Sequence, residues 1–340
     1  MTVAVSTFRP VLLTLSCALV LGASACADEG EASPYQLDDV LRLNHVQAKG
    51  THNSYHVEPD TPFDPSQEYT QPPLEQQLEL HGVRQLELDL HFRTDIGFEV
   101  FHAPVLDEKT TCKRLVDCLG QVKRWSDDNP WHLPLMIWLE PKDDPLVAGL
   151  LPIAGRYHLL EQEILAVFPR SRILAPDDVR GTRPDLPAAI AAEGWPTLGA
   201  LRGKVVFALL DSTMHRDNYT ADAPNLAGKL LFVDASDPKD PFAAMFKVNN
   251  AQAEATLVHD LVAAGFIVTS NVDAAGDDPA TNAAKLTASL AAGIHYGSSD
   301  FPASVAGGSY WFDLPGGAPA RCNPVFPAQA CTAQDIEHLP

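Results

Sequence analysis

Two carboxylates set two residues apart define the chemistry this chain can do. Glu87 and Asp89 lie in a run where Leu86, Leu88, Leu90 and Phe92 alternate strictly with Gln85, Glu87, Asp89 and His91. Alternation with period two is a strand signature, and it puts both carboxylates on one face. A solvated surface strand would alternate in the same way. The rest of the chain argues otherwise. A helix-like segment, Leu74 to His81, ends at Gly82 just ahead of the strand, and further apolar strands recur with helices between them. That is the pattern of a parallel sheet covered on both faces, or of a closed barrel. Inside such a barrel, carboxylates about 7 Å apart at i and i+2 repel and are poorly solvated, so a positive charge belongs between them. The expectation is a metal site.

Other strand ends carry residues that fit the same chemistry. The first expected strand runs into Gly50-Thr51-His52-Asn53-Ser54-Tyr55-His56, the third ends at His102, and the fourth ends in Glu140-Pro141-Lys142. Any one of these residues alone reads as structural, since a lone histidine at a strand end usually is. Their joint placement at four successive strand ends is what points to a site. Glu87, Asp89, Glu140 and the Asn53 amide oxygen are hard oxygen ligands that suit Ca²⁺, with Mg²⁺ as an alternative; zinc would recruit the histidines. His52 and His102 are then left free as acid and base. A cation between two histidines suits attack on a phosphodiester, where charge gathers on the phosphoryl oxygens.

Eight strands are expected to position these groups. They are Val46 to His52, Val83 to Phe92, Phe98 to His102, Leu133 to Glu140, Val205 to Asp211, Leu230 to Asp234, Phe266 to Ser270 and Ile294 to Ser298. Helical patterns at Arg114 to Trp125, Tyr157 to Phe168, Ala251 to Ala264 and Ala280 to Ala292 separate most of them, the last two running into Gly265 and Gly293. This predicts an α/β fold, an irregular (β/α)8 TIM-type barrel in a single domain over residues 37–340. The link from the second strand to the third is too short for a helix, so the barrel is expected to be irregular there. Pro and Gly concentrate after Phe301, which reads as a disulfide-stapled C-terminal extension over one end of the barrel.

Composition narrows the partners. The formal charge of −20 without any Lys/Arg run argues against nucleic acid and against simple adhesion to anionic membrane. Residues 1–25 read as a targeting segment: Arg9, an apolar Val11 to Gly22, then Ala23-Ser24-Ala25 before Cys26. Beyond it no apolar stretch has transmembrane length. The same residues resemble a lipobox in which Cys26 is lipidated. Lipidation of Cys26, like cleavage after Ala27, leaves the even set Cys112, Cys118, Cys322 and Cys331 as two sequence-local pairs, whereas cleavage after Ala25 leaves an odd thiol. Export as an extracellular or cell-envelope lipoprotein is therefore expected, with residues 26–36 as an acidic linker and the folded part a monomer. Six residues is too far for both Cys112 and Cys118 to sit mid-helix, so Cys112 should precede the helix that starts near Lys113.

His52-Asn53, Glu87-x-Asp89, His102 and Glu140, in this order and spacing, resemble the catalytic domains of phosphoinositide-specific phospholipase C, in particular the bacterial calcium-dependent branch. The phrases Gly-Thr-His-Asn-Ser-Tyr-His (50–56) and Leu-Pro-Gly-Gly-Ala-Pro-Ala-Arg-Cys-Asn-Pro (314–324) add to the likeness, which covers residues 43–326. The resemblance implies Ca²⁺ on Asn53, Glu87, Asp89 and Glu140, and catalysis by His52 and His102 with Glu87 and Lys142. The expected reaction cleaves phosphatidylinositol at a membrane surface to diacylglycerol and a cyclic inositol phosphate. Enzymes of this type that prefer multiply phosphorylated headgroups have a Lys-x-Lys pair on the strand matching Val205 to Asp211, which here is apolar. Lys142 is the one cation expected near the mouth, so an unphosphorylated or glycosylated inositide is the expected substrate, with Lys142 and Asp300 as substrate contacts. Arg172, Tyr310 and Trp311 are further contact candidates. Two alternatives stand beside this reading: a glycerophosphodiester phosphodiesterase, which would have His-Arg where this chain has His52-Asn53, and a catalytically inactive binding lipoprotein.

Overall fold

The computed structural model describes residues 1–4, 33–144, 147–304, 308–314, 317–326 and 331–338. Apart from residues 1–4, the expected targeting segment 1–25 lies outside the described residues, as do Cys26 and most of the linker 26–36. The chain divides into Met1–Ala32 and Ser33–Pro340, and the sheet belongs to the second unit.

Eight parallel strands form a ring in that unit. They are β1 Val46–Thr51, β2 Val83–Arg93, β3 Leu135–Pro141, β4 Val205–Leu209, β5 Phe232–Val233, β6 Met245–Lys247, β7 Ile267–Asn271 and β8 Tyr296–Ser299. Consecutive strands pair in parallel, and β8 pairs with β1. The narrowest seam lies between β5 and β6, where one parallel bridge joins Asp234 to Met245. This is an irregular (β/α)8 barrel. Helices Leu115–Asp128, Tyr157–Val167, Ala255–Ala263 and Pro279–Ala292 fall close to the expected spans. The last stops at Gly293, whose φ of 95° is the left-handed conformation that ends a helix and favours glycine.

One strand assignment needs correction. Phe98 to His102 is not a member of the ring: Gly97–Val100 folds back antiparallel on β2 as a hairpin. The vacant place is taken by Met245–Lys247, too short to stand out in the sequence. The link that looked too short for a helix is thus a hairpin turn within a single β2-to-β3 crossover.

Inside the ring, the even positions of β3 and the odd positions of β2 point inward. Trp138 fills the interior beneath the mouth, and its indole N–H donates to Thr269 Oγ1 on β7 at 3.2 Å. Leu86, Leu88, Ile137 and Leu139, on the outward face, are fully buried against the surrounding layer. Both faces are covered, as a parallel sheet requires.

The opposite end of the barrel is closed by the two ends of the folded unit. Arg84, at the start of β2, is paired with Glu337 at 2.9 and 2.8 Å, and both are buried. Arg202, just before β4, holds Asp38 at 2.6 Å and the Ile336 carbonyl at 2.7 Å, with its guanidinium 4.1 Å from the Tyr35 ring. The C-terminal segment also adds Ala320–Cys322 antiparallel to β1 and is closed by the disulfide Cys322–Cys331. The second disulfide, Cys112–Cys118, has Cys112 ahead of its helix and Cys118 inside it, with 5.3 Å between the Cα atoms.

Burial opposes the charge on Glu337, but Arg84 outweighs it and holds the carboxyl below its usual range. The folded-state pKa is therefore depressed, so this contribution is present above the unfolded value and is lost as pH falls through the folded one. Breaking such a pair from one side costs about 3–5 kcal/mol. Glu337→Gln should lower the urea midpoint at pH 7 while the difference from the parent protein shrinks in acid, as followed by circular dichroism.

Candidate active site

The turn after β1 is fixed by its own residues. A β-carbon on Gly50 would lie 2.8 Å from the Gly297 carbonyl oxygen and closer still to the Gln85 side chain, so only glycine lets β1 approach its neighbours here. Asn53 has φ of 39°, in the left-handed region that asparagine tolerates better than most residues. Ser54 then locks the turn onto β2: its N–H donates to the Glu87 carbonyl at 2.9 Å, and its hydroxyl accepts from the Glu87 N–H at 2.8 Å. These bonds place His52 and Asn53 beside the inward face of β2.

The parallel register pairs Asp89 directly with Glu140 on β3. Glu87, Asp89 and Glu140 each offer an oxygen within 4.8 Å of the others. Asp89 is fully buried and Glu87 nearly so, which excludes a solvated polar face. Two lysines enter the cluster. Lys142 Nζ stands 2.5 Å from Glu140 Oε1 and 3.3 Å from Asp89 Oδ2, while Lys247 Nζ bonds Glu87 Oε2 at 2.8 Å. Burial works against the charge on Glu87, but Lys247 and His52 hold its carboxyl below the usual range. Asp89 goes the other way: burial, then Glu140, raise it well above that range. Neither Asp89 oxygen has a hydrogen bond.

Each histidine is anchored through Nδ1 by a carboxylate. His52 Nδ1 lies 2.8 Å from Asp300 Oδ1, with Nε2 3.5 Å from Glu87 Oε1. Burial disfavours the charged ring, yet Asp300 and Glu87 together raise its pKa to about 9. Asp300 is itself fixed by Asp273, which accepts from its backbone N–H at 2.7 Å, and by its own bond from the Ala275 N–H at 2.9 Å. His102 Nδ1 lies 2.9 Å from Asp107 Oδ2, and that bond is the main cause of its raised pKa.

The cavity beside these groups, about 340 Å³, is lined by His52, Glu87, Glu140 and residues at the ends of β4 to β7, among them Asp211, Asp234, Lys247 and Asn271. The structure therefore joins His52, Asn53, Glu87, Asp89, Glu140, Lys142, His102 and Asp300 at one mouth. It also corrects the cation count, since Lys247 accompanies Lys142. Lys247 and Asp234 end short strands, and that position was the only signal they offered; Asp107 gave none. Arg172 is not at the mouth: it bonds the Gly203 carbonyl ahead of β4 and Asp127, at the far end. Tyr310 donates to Asp273 Oδ2 at 3.0 Å, and Trp311 is partly exposed.

A profile of the family described as phosphoinositide phospholipase C, Ca²⁺-dependent, matches residues 41–96 and 93–324. The chain belongs to that family. No curated protein sequence matches this phospholipase. Among solved structures it is similar to the calcium-dependent phosphoinositol-specific phospholipase C of a Gram-negative Pseudomonas species, with 20% identity, 84% of this chain and 97% of that one covered, and a TM-score of 0.58. The same Pseudomonas enzyme in its myo-inositol complex gives 0.59, again at 20% identity, over 84% and 96% of the two chains. The Ca²⁺-dependent phosphatidylinositol-specific phospholipase C of Streptomyces antibioticus gives 0.56 at 19% identity, over 77% and 95%. At these identities the likeness bears on the fold.

The residues present fit Ca²⁺. The donors are all oxygens, Asp89 is buried with no hydrogen bond to either oxygen, and the cluster already draws in two ammonium groups. Because the Asp89 carboxyl must ionise to ligate a cation, Ca²⁺ should bind more weakly at pH 6 than at pH 8 and release protons on binding. Calorimetry in buffers of different ionisation enthalpy measures both. Glu87→Gln and Asp89→Asn should lose affinity with unchanged far-UV circular dichroism; undiminished binding by either would remove that residue from the site.

Proposed function

We propose that this phospholipase cleaves phosphatidylinositol at a membrane surface, releasing diacylglycerol and a cyclic inositol phosphate. The observation that carries the reading is the pair of histidines, each tied at Nδ1 to a carboxylate, beside one acidic cluster that suits Ca²⁺. Asn53, Glu87, Asp89 and Glu140 would hold the ion. When bound, Ca²⁺ supplies positive charge to the phosphoryl oxygens and the attacking oxygen.

The protein's own groups supply the proton transfers. In phosphatidylinositol the ring hydroxyl next to the phosphate is already close to phosphorus, and intramolecular attack gains effective molarities of up to about 10⁵–10⁸ M. In its neutral form, which Ca²⁺ would favour by offsetting the Glu87 charge that now helps raise its pKa, His52, oriented by Asp300, takes the proton of that hydroxyl as its oxygen bonds to phosphorus. The phosphorus–oxygen bond to glycerol breaks, and the leaving oxygen takes a proton from His102 Nε2. Asp211, Thr213, Asp234, Asn249 and Asn271 offer hydroxyl-binding groups around Lys247. Lys247 is already bonded to Glu87, and Arg216 beside Asp234 to Asp217 and Ser236, so a ring phosphate would meet Asp211 and Asp234 without a free cation among the described residues. An unphosphorylated ring fits better, and Lys142 and Asp300 are its further contacts.

The membrane side is supported by the exposed apolar residues on segments that follow the C-terminal ends of β1, β2, β4 and β8. They are Phe63, Val105, Leu106, Met214 and Trp311, with Phe63 and Val105 more than 80% exposed. No helix among the described residues is long and apolar enough to cross a membrane. The same proposal includes a monomeric barrel, export directed by residues 1–25 and lipidation at Cys26. Mass spectrometry of the mature N-terminus distinguishes a lipidated Cys26 from cleavage after Ala25.

His52→Ala and His102→Ala should each lose about 10²–10⁴-fold in turnover, and the losses should not multiply in the double variant. A nitrophenyl leaving group, which needs no proton, should restore His102→Ala alone; equal rescue of both variants removes the assignment. Phosphorus NMR at early times should show the cyclic phosphate first. An acyclic monophosphate without a cyclic species would make water the nucleophile. Phosphatidylinositol should be turned over faster than its bisphosphate in mixed micelles; the reverse order removes the headgroup reading.

A further inference from the structure

We propose that Asp107 is the positioning residue of the general acid, holding His102 in one tautomer through a His56–Asp107–His102 chain whose inner two members are buried. The inference rests on the reading of His102 as the acid that protonates the leaving oxygen. Its basis is the geometry around a single carboxylate oxygen. Asp107 Oδ2 accepts from His102 Nδ1 at 2.9 Å, from His56 Nε2 at 3.0 Å and from the Gln67 amide at 3.3 Å. Oδ1 is buried without a partner, and the side chain has no exposure. Burial opposes the charge, yet the bonds from His102 and His56 hold the carboxyl well below its usual range.

A carboxylate can only accept, so His102 carries a proton on Nδ1 and turns Nε2 outward. The His102 side chain is about a third exposed. His56 is fully buried and stacks on Tyr69, with ring centroids 4.4 Å apart. Its Nδ1 faces the Tyr69 carbonyl at 3.0 Å, again an acceptor only. Both His56 ring nitrogens thus face oxygen acceptors, and the ring fixes Asp107 from the side away from His102.

The backbone explains how the acid is aimed. Ala103 and Asp107 exchange both N–H···O bonds at 2.9 Å, closing a tight loop with His102 and Asp107 at its base and Val105 and Leu106 at its exposed tip. The loop is tied to the β1 turn through the His56–Thr110 bridge and the Thr111 N–H bond to the Tyr55 carbonyl at 2.8 Å. The charged groups acting on His102 are Asp107 and Asp89, which favour its protonated form, and Lys142, which opposes it. His56 meets its ring edge-on at 6.3 Å.

Asp107→Asn keeps an oxygen acceptor at the same place and removes the charge. Turnover of phosphatidylinositol should fall by about 10- to 100-fold, less than deletion of the acid itself. The alkaline limb of the pH–rate profile should move to lower pH, since losing the carboxylate makes protonated His102 less stable. With a nitrophenyl leaving group the loss should largely disappear. Equal losses on both substrates with an unmoved pH profile would reduce Asp107 to packing and overturn the proposal. His102→Ala is the control for the reading beneath it. If that variant is not impaired on phosphatidylinositol, or is not rescued by nitrophenol, His102 is not the acid, whatever Asp107→Asn does. Should Asp107→Asn fail to fold, ¹⁵N NMR of the histidine rings in the parent protein still decides: neutral His102 must carry its proton on Nδ1, and the Nε2–H tautomer would overturn the proposal.

Discussion

Three carboxylates crowded at the inner edge of two neighbouring strands are the constraint around which the mouth of this barrel is arranged. Glu87, Asp89 and Glu140 cannot all be ionised within 4.8 Å, with little water, unless positive charge is brought to them. Lys142 and Lys247 reach in from the ends of β3 and β6 to supply part of it, and the Ca²⁺ proposed for this cluster would complete it. The opposite directions taken by Glu87 and Asp89 follow from how that charge is shared. Glu87 has Lys247 and His52 at hand, whereas Asp89 has Glu140 as its paired neighbour and no hydrogen bond.

The histidines are placed in deliberately different surroundings by the same rim. His52 sits between Asp300 and Glu87, so its charge state is tied directly to the acidic cluster. His102 stands on a loop outside the ring and answers mainly to Asp107. A cation at the cluster would therefore bear more strongly on His52, the proposed base, than on His102, the proposed acid. Two proton-transfer groups with separable environments are what a displacement needs if one must accept while the other donates.

Rigidity comes from below. Trp138 fills the barrel interior, and the Arg84–Glu337 and Arg202–Asp38 pairs seal the far end with the two ends of the folded unit. Both pairs are buried and doubly bonded, so the strands that carry Glu87, Asp89 and the β4 end are fixed at their origins. The mouth itself is built from loops and from acids crowded around two lysines and two histidines. Positioning the site on strand ends held from the opposite side keeps its strain away from the supporting core.

Much of this was legible in the residues. Strict alternation through Gln85 to Phe92 fixed both the strand and the face of the carboxylates, because side-chain direction along a strand has a period of two. The Gly-Thr-His-Asn turn, the helices ending at Gly265 and Gly293, and the sequence-local cysteine pairs were readable for similar local reasons. The sequence could not decide which strands are neighbours or in what register, because pairing is a contact between distant segments. Register alone sets Asp89 against Glu140 and brings Lys247, from a strand of three residues, to Glu87. It took the hairpin at Gly97–Val100 out of the ring and carried Asp107 beneath His102. The residue types thus determined which chemistry was possible, and the tertiary structure decided which charges face one another, because electrostatic partners are chosen by distance through space and not by separation along the chain.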